Sequence, residues 1–190
     1  MSKNLIFTGK KDGLTLAQKM REGLATIKKE KDHIKHVAKI VLLLDVSGSM
    51  SEHVGEKRKI DHLREAVQNY TALRKVSFSG DIYENSIPDP KTNTDLAYAF
   101  EYLLSSNPLE IILISDGLPD SEIDAINTAK LLNCPVNIIY VGPGSDKGET
   151  FMKRLAFETQ GKQVTVDTTK ELLSVSNVLT DNIRLMLPGN

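Results

Sequence analysis

Apolar and polar residues follow one another in blocks along the chain, and the blocks predict alternating strands and helices. Strands are predicted for five apolar runs: 37–45, 75–79, 109–115, 135–141 and 163–166. Helices are predicted where apolar residues recur every three or four positions: 56–73, 94–105, 121–133, 149–159 and 169–187. Repeated strand-helix units form a mainly parallel sheet covered by helices on both faces. The pattern therefore predicts an α/β, doubly wound fold.

Two further segments complete this prediction. Gly80-Asp81 is typical of a tight turn, so residues 82–84 are expected to return as a short antiparallel edge strand. Before the sheet, Leu16, Met20, Leu24 and Ile27 recur at helical spacing and predict an amphipathic N-terminal helix. We divide the chain into an N-terminal helical extension, 1–36, and an α/β domain, 37–187.

Composition indicates one globular domain and excludes several classes of partner. The 190 residues are 40% hydrophobic and 26% charged, which suffices for a core without disulfides. The net charge of −1 gives no reason to expect nucleic acid or an anionic membrane as a partner. The single cysteine, Cys134, is expected to be buried. No segment approaches the ~20 apolar residues of a membrane span or the pattern of a signal peptide, so we expect a cytoplasmic protein.

The end of the first predicted strand carries the most informative residues. Asp45, Ser47 and Ser49 follow the apolar run as one carboxylate and two hydroxyls at alternate positions. In open α/β sheets, ligands bind beyond the carboxyl ends of the strands, where the strand order reverses. If the strand that ends near Asp116 is the neighbour, both carboxylates face one crevice, and Thr94 lies on the same rim. Oxygen ligands of this kind favour Mg²⁺, with Ca²⁺ and Mn²⁺ as alternatives.

These residues resemble the von Willebrand factor A (VWA) family with a complete metal-ion-dependent adhesion site (MIDAS). The family's Asp-x-Ser-x-Ser motif matches Asp45-Val46-Ser47-Gly48-Ser49, its later threonine matches Thr94, and its later aspartate matches Asp116. The resemblance covers 37–187 and implies a VWA-like, or Rossmann-like, fold.

The resemblance also implies a mode of binding. In the family, the serines and the threonine touch the metal ion and the aspartates act directly or through water. One position stays open for an acidic side chain, Asp or Glu, of a partner protein. Relatives often act within assemblies that contain an ATPase. The implied function is a divalent-cation-dependent protein-protein interaction module, not an enzyme.

Several alternatives stay open at this point. The family often has glycines before the threonine, whereas this chain has Lys91-Thr92-Asn93, so Thr92 is a rival ligand. The chain could instead be a metal-assisted phosphoester hydrolase, although aspartyl phosphatases carry an acid where this chain has Ser47. A structural subunit with a closed metal site is a third hypothesis. Asp45, Ser47 and Ser49 could also form only a turn and a helix cap.

Overall fold

The computed structural model describes residues 21–22, 24–29, 39–169 and 175–187. The chain divides after Lys35 into two units. In the first unit, residues 21–22 and 24–29 are helical, and the Leu24 and Ile27 side chains are exposed. Leu16 and Met20, the other members of the predicted apolar stripe, lie outside the described residues.

The second unit contains eight strands and five helices among its described residues. The strands are β1 (Ile40–Asp45), β2 (His53–Val54), β3 (Lys57–Arg58), β4 (Arg74–Phe78), β5 (Ile82–Glu84), β6 (Glu110–Ser115), β7 (Val136–Gly142) and β8 (Gln163–Asp167). The helices are α1 (Lys59–Val67), α2 (Leu96–Leu104), α3 (Glu122–Leu131), α4 (Lys147–Glu158) and α5 (Val175–Met186). A short 3₁₀ turn, Gly48–Ser51, follows β1.

Six strands form one sheet in the order β5-β4-β1-β6-β7-β8. Every neighbouring pair is parallel except β4 and β5, so the predicted antiparallel edge strand is confirmed. The chain moves from β1 to β4 on one side and later returns to β6 on the other side. The strand order therefore reverses between β1 and β6, the place where α/β folds of this kind open a crevice.

Two hydrophobic cores cover the two faces of the sheet. Alternate residues of β1 belong to opposite cores: Val41 and Leu43 face one layer, and Ile40, Leu42 and Leu44 face the other. The first core contains buried residues of α2, α3 and α4, and the second contains those of α1 and α5. Helices on both faces explain why the β1 sequence is apolar throughout instead of alternating.

The largest departure from the sequence-based prediction lies between β1 and α1. A helix was expected from residue 56, but β2 and β3 form a small antiparallel hairpin and α1 begins at Lys59. Gly55 has a φ of 65°, the left-handed conformation that glycine tolerates at a turn. The Lys59 backbone N–H donates a 2.9 Å hydrogen bond to the Glu52 carbonyl, which closes the hairpin onto the start of the helix.

The end of helix α1 also differs from the prediction, because it was expected to continue to residue 73 and ends at Val67. The boundaries of the other described elements lie close to those expected. Cys134 is buried, as expected. The last helix is described from Val175, and the preceding part of its predicted range, 170–174, lies outside the described residues. None of the helices in the described part of the chain has the length and hydrophobicity needed to cross a membrane.

Candidate metal centre

The ends of the two central strands place Asp45 and Asp116 beside each other. Asp45 is the last residue of β1, and Asp116 follows the last residue of β6. The strands pair in parallel register up to Leu44 and Ile114, so both carboxylates leave the sheet at the same edge. This is the adjacency that the sequence interpretation required.

Asp45 is fully buried, and each of its two carboxylate oxygens accepts a hydrogen bond. Its Oδ1 accepts a 2.7 Å hydrogen bond from the Ser47 backbone N–H, and its Oδ2 accepts a 2.6 Å hydrogen bond from the Ser115 hydroxyl. Burial, and then the negative charge of Asp116, raise the pKa of Asp45 to about 6 despite these hydrogen bonds. A cation nearby would favour the charged carboxylate.

The two motif serines join this strand end to Asp116. The Ser47 and Ser49 hydroxyl oxygens are 3.1 Å apart, and the Ser49 hydroxyl donates a 2.7 Å hydrogen bond to Asp116 Oδ1. Adding a Cβ at Gly117 would bring it to 3.7 Å from the Ser49 hydroxyl, so the two loops are in close contact. Four of the five predicted ligands therefore lie in one hydrogen-bonded group.

Thr94 lies on a third loop, and that loop is fastened to the other two. The Lys91 N–H donates a 2.8 Å hydrogen bond to the carbonyl of Val46, in the loop that follows β1. The Asp120 N–H donates to the Thr94 carbonyl at 3.0 Å, and the Asp120 carboxylate accepts from the Thr94 N–H. Within the described residues, no hydrogen bond joins the Thr94 hydroxyl to the four other predicted ligands.

The rival threonine, Thr92, is exposed on the same loop. Its hydroxyl donates a 2.8 Å hydrogen bond to the side-chain oxygen of Asn93. A Cβ on Gly48 would stand 4.0 Å from the Thr92 Cα, so Thr92 also lies near the motif loop. Asp95, not Thr94, caps helix α2, because its side chain accepts from the Tyr98 N–H. The choice between the two threonines stays a prediction.

The sequence interpretation missed a positively charged side chain at this site, that of Lys59. The Lys59 ammonium donates a 2.7 Å hydrogen bond to Asp116 Oδ2 and a 2.6 Å hydrogen bond to Glu52. The Lys59 side chain is only 6% exposed and the Asp116 side chain is fully buried, whereas Glu52 is largely exposed. Burial opposes the charged form of Lys59, but the hydrogen bonds to Asp116 and Glu52 raise its pKa.

One sequence signal could have revealed Lys59. It lies four residues before Leu63 and seven before Ala66, both buried, and so shares the buried face of α1. A lysine on such a face needs an acidic partner. Ser115 was missed as well, and its signal is a hydroxyl at the last position of a buried strand, directly before a candidate ligand.

The chemistry of the group suits a hard cation. Its atoms are carboxylate and hydroxyl oxygens, and two carboxylates beside one ammonium leave the group net negative. In the part of the chain that the structure describes, no cluster of three or more His, Cys, Asp or Glu residues is arranged to hold a metal ion. Any ion bound here would therefore depend on the hydroxyls.

Comparisons with known proteins bear on the fold. No family model matches this sequence, and no curated protein matches it either. Among solved structures, the chain is similar to a von Willebrand factor type A protein from Catenulispora acidiphila, with a TM-score of 0.60 and 13% sequence identity. The match covers 78% of this chain and 41% of that chain, so the chain spans less than half of the neighbour's length. This likeness, together with the sheet order, shows that the fold is VWA-like.

Proposed function

We propose that the chain is a divalent-cation-dependent protein-protein interaction module. Asp45, Ser47, Ser49, Thr94 and Asp116 hold the ion, and the ion binds an Asp or Glu side chain of the partner. The observation that carries this proposal is the hydrogen-bonded group of four of these side chains at the reversal of strand order. VWA-like folds commonly serve as interaction modules, which is consistent with it.

The spacing of the hydroxyls is compatible with Mg²⁺ as the ion. Adjacent ligands of an octahedral Mg²⁺ with bonds of about 2.0–2.1 Å are about 2.9 Å apart. The Ser47 and Ser49 oxygens are separated by 3.1 Å, and Ser49 and Asp116 Oδ1 by 2.7 Å. Both distances lie close to that spacing, so the ion could replace these hydrogen bonds with little movement. Ca²⁺ and Mn²⁺ accept the same oxygen ligands.

A partner has access to this side of the molecule. Ser49 is partly exposed, and a crevice of about 580 Å³ runs beside the motif loop. Gly48, Ser51, Thr92 and Asn93 are among the residues that line it. A metal ion with an unfilled position is the largest local charge at such a place and attracts a carboxylate. The partial exposure of two predicted ligands, Ser49 and Thr94, supports partner binding over a closed structural site.

Among the mechanisms of a phosphoester hydrolase, the structure opposes direct attack by Asp45, whereas a metal-assisted hydrolase would use a metal-bound water as its nucleophile. Asp45, the aspartate at the end of a parallel strand, is fully buried, and hydrogen bonds engage both of its carboxylate oxygens. Attack on a phosphorus atom requires an approachable oxygen, and both Asp45 oxygens are buried and already accept hydrogen bonds. We propose a binding function without catalysis.

The setting that we propose is cytoplasmic, with the partner belonging to an assembly that contains an ATPase. The support for such an assembly is the resemblance of the motif residues to the VWA family. We do not propose nucleic acid or membrane as partners, because the net charge is −1.

The decisive experiment compares two serines that lie two residues apart. The Ser49 hydroxyl belongs to the candidate metal centre, whereas the Ser51 hydroxyl only donates to the Gly48 carbonyl. Binding of Mg²⁺ and Mn²⁺ is measured by calorimetry for the wild-type chain, Ser49→Ala and Ser51→Ala. Capture of partners from lysate is measured in Mg²⁺ and in EDTA, with the eluted proteins identified by mass spectrometry.

We expect Ser49→Ala to weaken ion binding at least about tenfold, because a lost ligand to a charged centre removes more than ~1.4 kcal/mol. Ser51→Ala should behave as the wild type. Partner capture should disappear in EDTA and with Ser49→Ala. Identical partners under all conditions would exclude metal-dependent binding, and ion binding without any captured partner would favour the closed structural site.

A further inference from the structure

The Lys59 ammonium places a positive charge inside the candidate centre, next to one of the predicted metal ligands. It lies 2.7 Å from Asp116 Oδ2, and both side chains are almost completely shielded from solvent. The other oxygen of the same carboxylate accepts from Ser49. One buried carboxylate thus faces the motif serine on one side and a fixed positive charge on the other.

The position of Lys59 is built into the local fold. The hairpin of β2 and β3 returns the chain to Glu52, whose carbonyl accepts from the Lys59 backbone N–H at 2.9 Å. The ammonium then bridges two carboxylates, the buried Asp116 and the exposed Glu52. Contacts within the chain therefore hold both the backbone and the side chain of Lys59.

We propose that Lys59 is a positioning residue that competes with the divalent cation for Asp116, so that it orders the centre without an ion and weakens ion binding. An ion bound on the Ser49 side would share the Asp116 carboxylate with the ammonium. Two cations on one buried carboxylate repel each other strongly, because the interior screens charges less than water does. This inference rests on the proposed metal-dependent function and adds that Lys59 lowers the affinity of the centre for its ion.

Replacement of Lys59 by methionine tests this competition, because methionine keeps most of the side-chain length and removes the charge. Lys59→Arg keeps the charge. Lys57→Met is the matched control, because Lys57 is two residues away and pairs with Glu65 instead of the centre. Each chain is freed of metal with EDTA, transferred to metal-free buffer and titrated with MgCl₂ and MnCl₂ by calorimetry.

We expect Lys59→Met to bind Mg²⁺ at least about tenfold more tightly than the wild type, because a positive charge next to the ion is removed. Lys59→Arg and Lys57→Met should bind as the wild type does. Binding by Lys59→Met alone would also support the proposal. Equal or weaker binding by Lys59→Met overturns the inference and leaves the proposed function intact, whereas failure of every chain to bind either ion overturns both.

A second measurement covers the case in which Lys59→Met is unstable without metal. The melting temperature is recorded in EDTA and in excess Mg²⁺ for the same four chains. Ligands that bind only the folded state raise the melting temperature according to their affinity. Lys59→Met should melt below the wild type in EDTA and gain more from Mg²⁺. A gain no larger than that of the wild type overturns the inference.

Discussion

The Ser115 hydroxyl donates a 2.6 Å hydrogen bond to Asp45 Oδ2, so the last residue of β6 holds the last residue of β1. Both residues are fully buried. This contact fixes the carboxylate orientation from the neighbouring strand, and the Ser47 N–H fixes it from the loop that follows. The candidate metal centre is therefore held in position by residues of the sheet as well as by residues of the loops.

Removal of this hydroxyl should destabilise the protein measurably. Ser115→Ala leaves a buried carboxylate oxygen without its donor, which costs about 1–3 kcal/mol of the free energy of unfolding. Urea denaturation monitored by circular dichroism measures the change. Ser105→Ala is the control, because that hydroxyl is exposed and makes only a 3.3 Å hydrogen bond to the Tyr102 carbonyl. Equal stability of the two variants would show that the Asp45 contact is dispensable.

The two threonines of the third loop should differ in their effect on ion binding. We expect Thr94→Ala to weaken Mg²⁺ binding at least about tenfold, as loss of a ligand does, and Thr92→Ala to leave it unchanged. Calorimetric titration of both variants measures the difference. The Thr92 hydroxyl donates to the Asn93 side chain, so Thr92→Ala removes that contact and no predicted contact with the ion. The reverse result would assign the ligand role to Thr92.

Glu149 should make the stability of the protein depend on pH in the acid range. Hydrogen bonds from Thr165, Lys153 and the Ser145 N–H hold the pKa of Glu149 at about 2, below its ordinary value of 4.5. A carboxyl whose folded-state pKa is lowered stabilises the protein above its unfolded-state pKa and loses this contribution as pH falls. The contribution is therefore complete above about pH 4.5 and declines towards pH 2.

Comparison with Glu149→Gln isolates this contribution from that of other carboxyl groups. Glutamine keeps the size of the side chain but carries no charge at any pH. The wild type should exceed the variant in unfolding free energy at pH 7, and the difference should shrink between pH 4.5 and pH 2. Urea denaturation at several pH values provides the measurement. A difference that stays constant over this range would contradict the assignment.

Gly161 should not tolerate a side chain. A Cβ at this position would lie 2.0 Å from the Val136 carbonyl oxygen and 2.5 Å from its carbon. These are backbone atoms of the first residue of β7, so relief requires movement of a strand that is paired on both sides. Gly161→Ala should cost about 3 kcal/mol or more of the free energy of unfolding, as severe overpacking does.

A matched glycine separates this clash from a general effect of alanine. The nearest atoms to a Cβ at Gly80 belong to the Asn93 side chain at 3.5 Å, an ordinary contact. Gly80→Ala should therefore change stability by no more than about 0.5 kcal/mol. Thermal melting of both variants in parallel is sufficient. Similar melting temperatures for the two variants would mean that the backbone around Gly161 shifts with little loss of stability.

The sequence by itself determined the order of the six strands of the main sheet and of the five helices, and most of the candidate centre. Strand and helix periods are local properties, so the buried run of β1 and the helical spacing after Thr94 were readable without coordinates. Asp45, Ser47, Ser49 and Asp116 were recognisable because they follow apolar strands. The antiparallel edge strand was also predictable, from the Gly80-Asp81 turn.

Only the tertiary structure decided which groups meet at the centre. The contact of Lys59 with Asp116 spans 57 residues, and that of Ser115 with Asp45 spans 70. Such contacts depend on the pairing of β1 with β6 and on the hairpin that precedes α1, and neither leaves a local periodic signal. The helical spacing of Lys59 with Leu63 and Ala66 could indicate a buried position, but its acidic partner became identifiable only once the sheet brought Asp116 within reach.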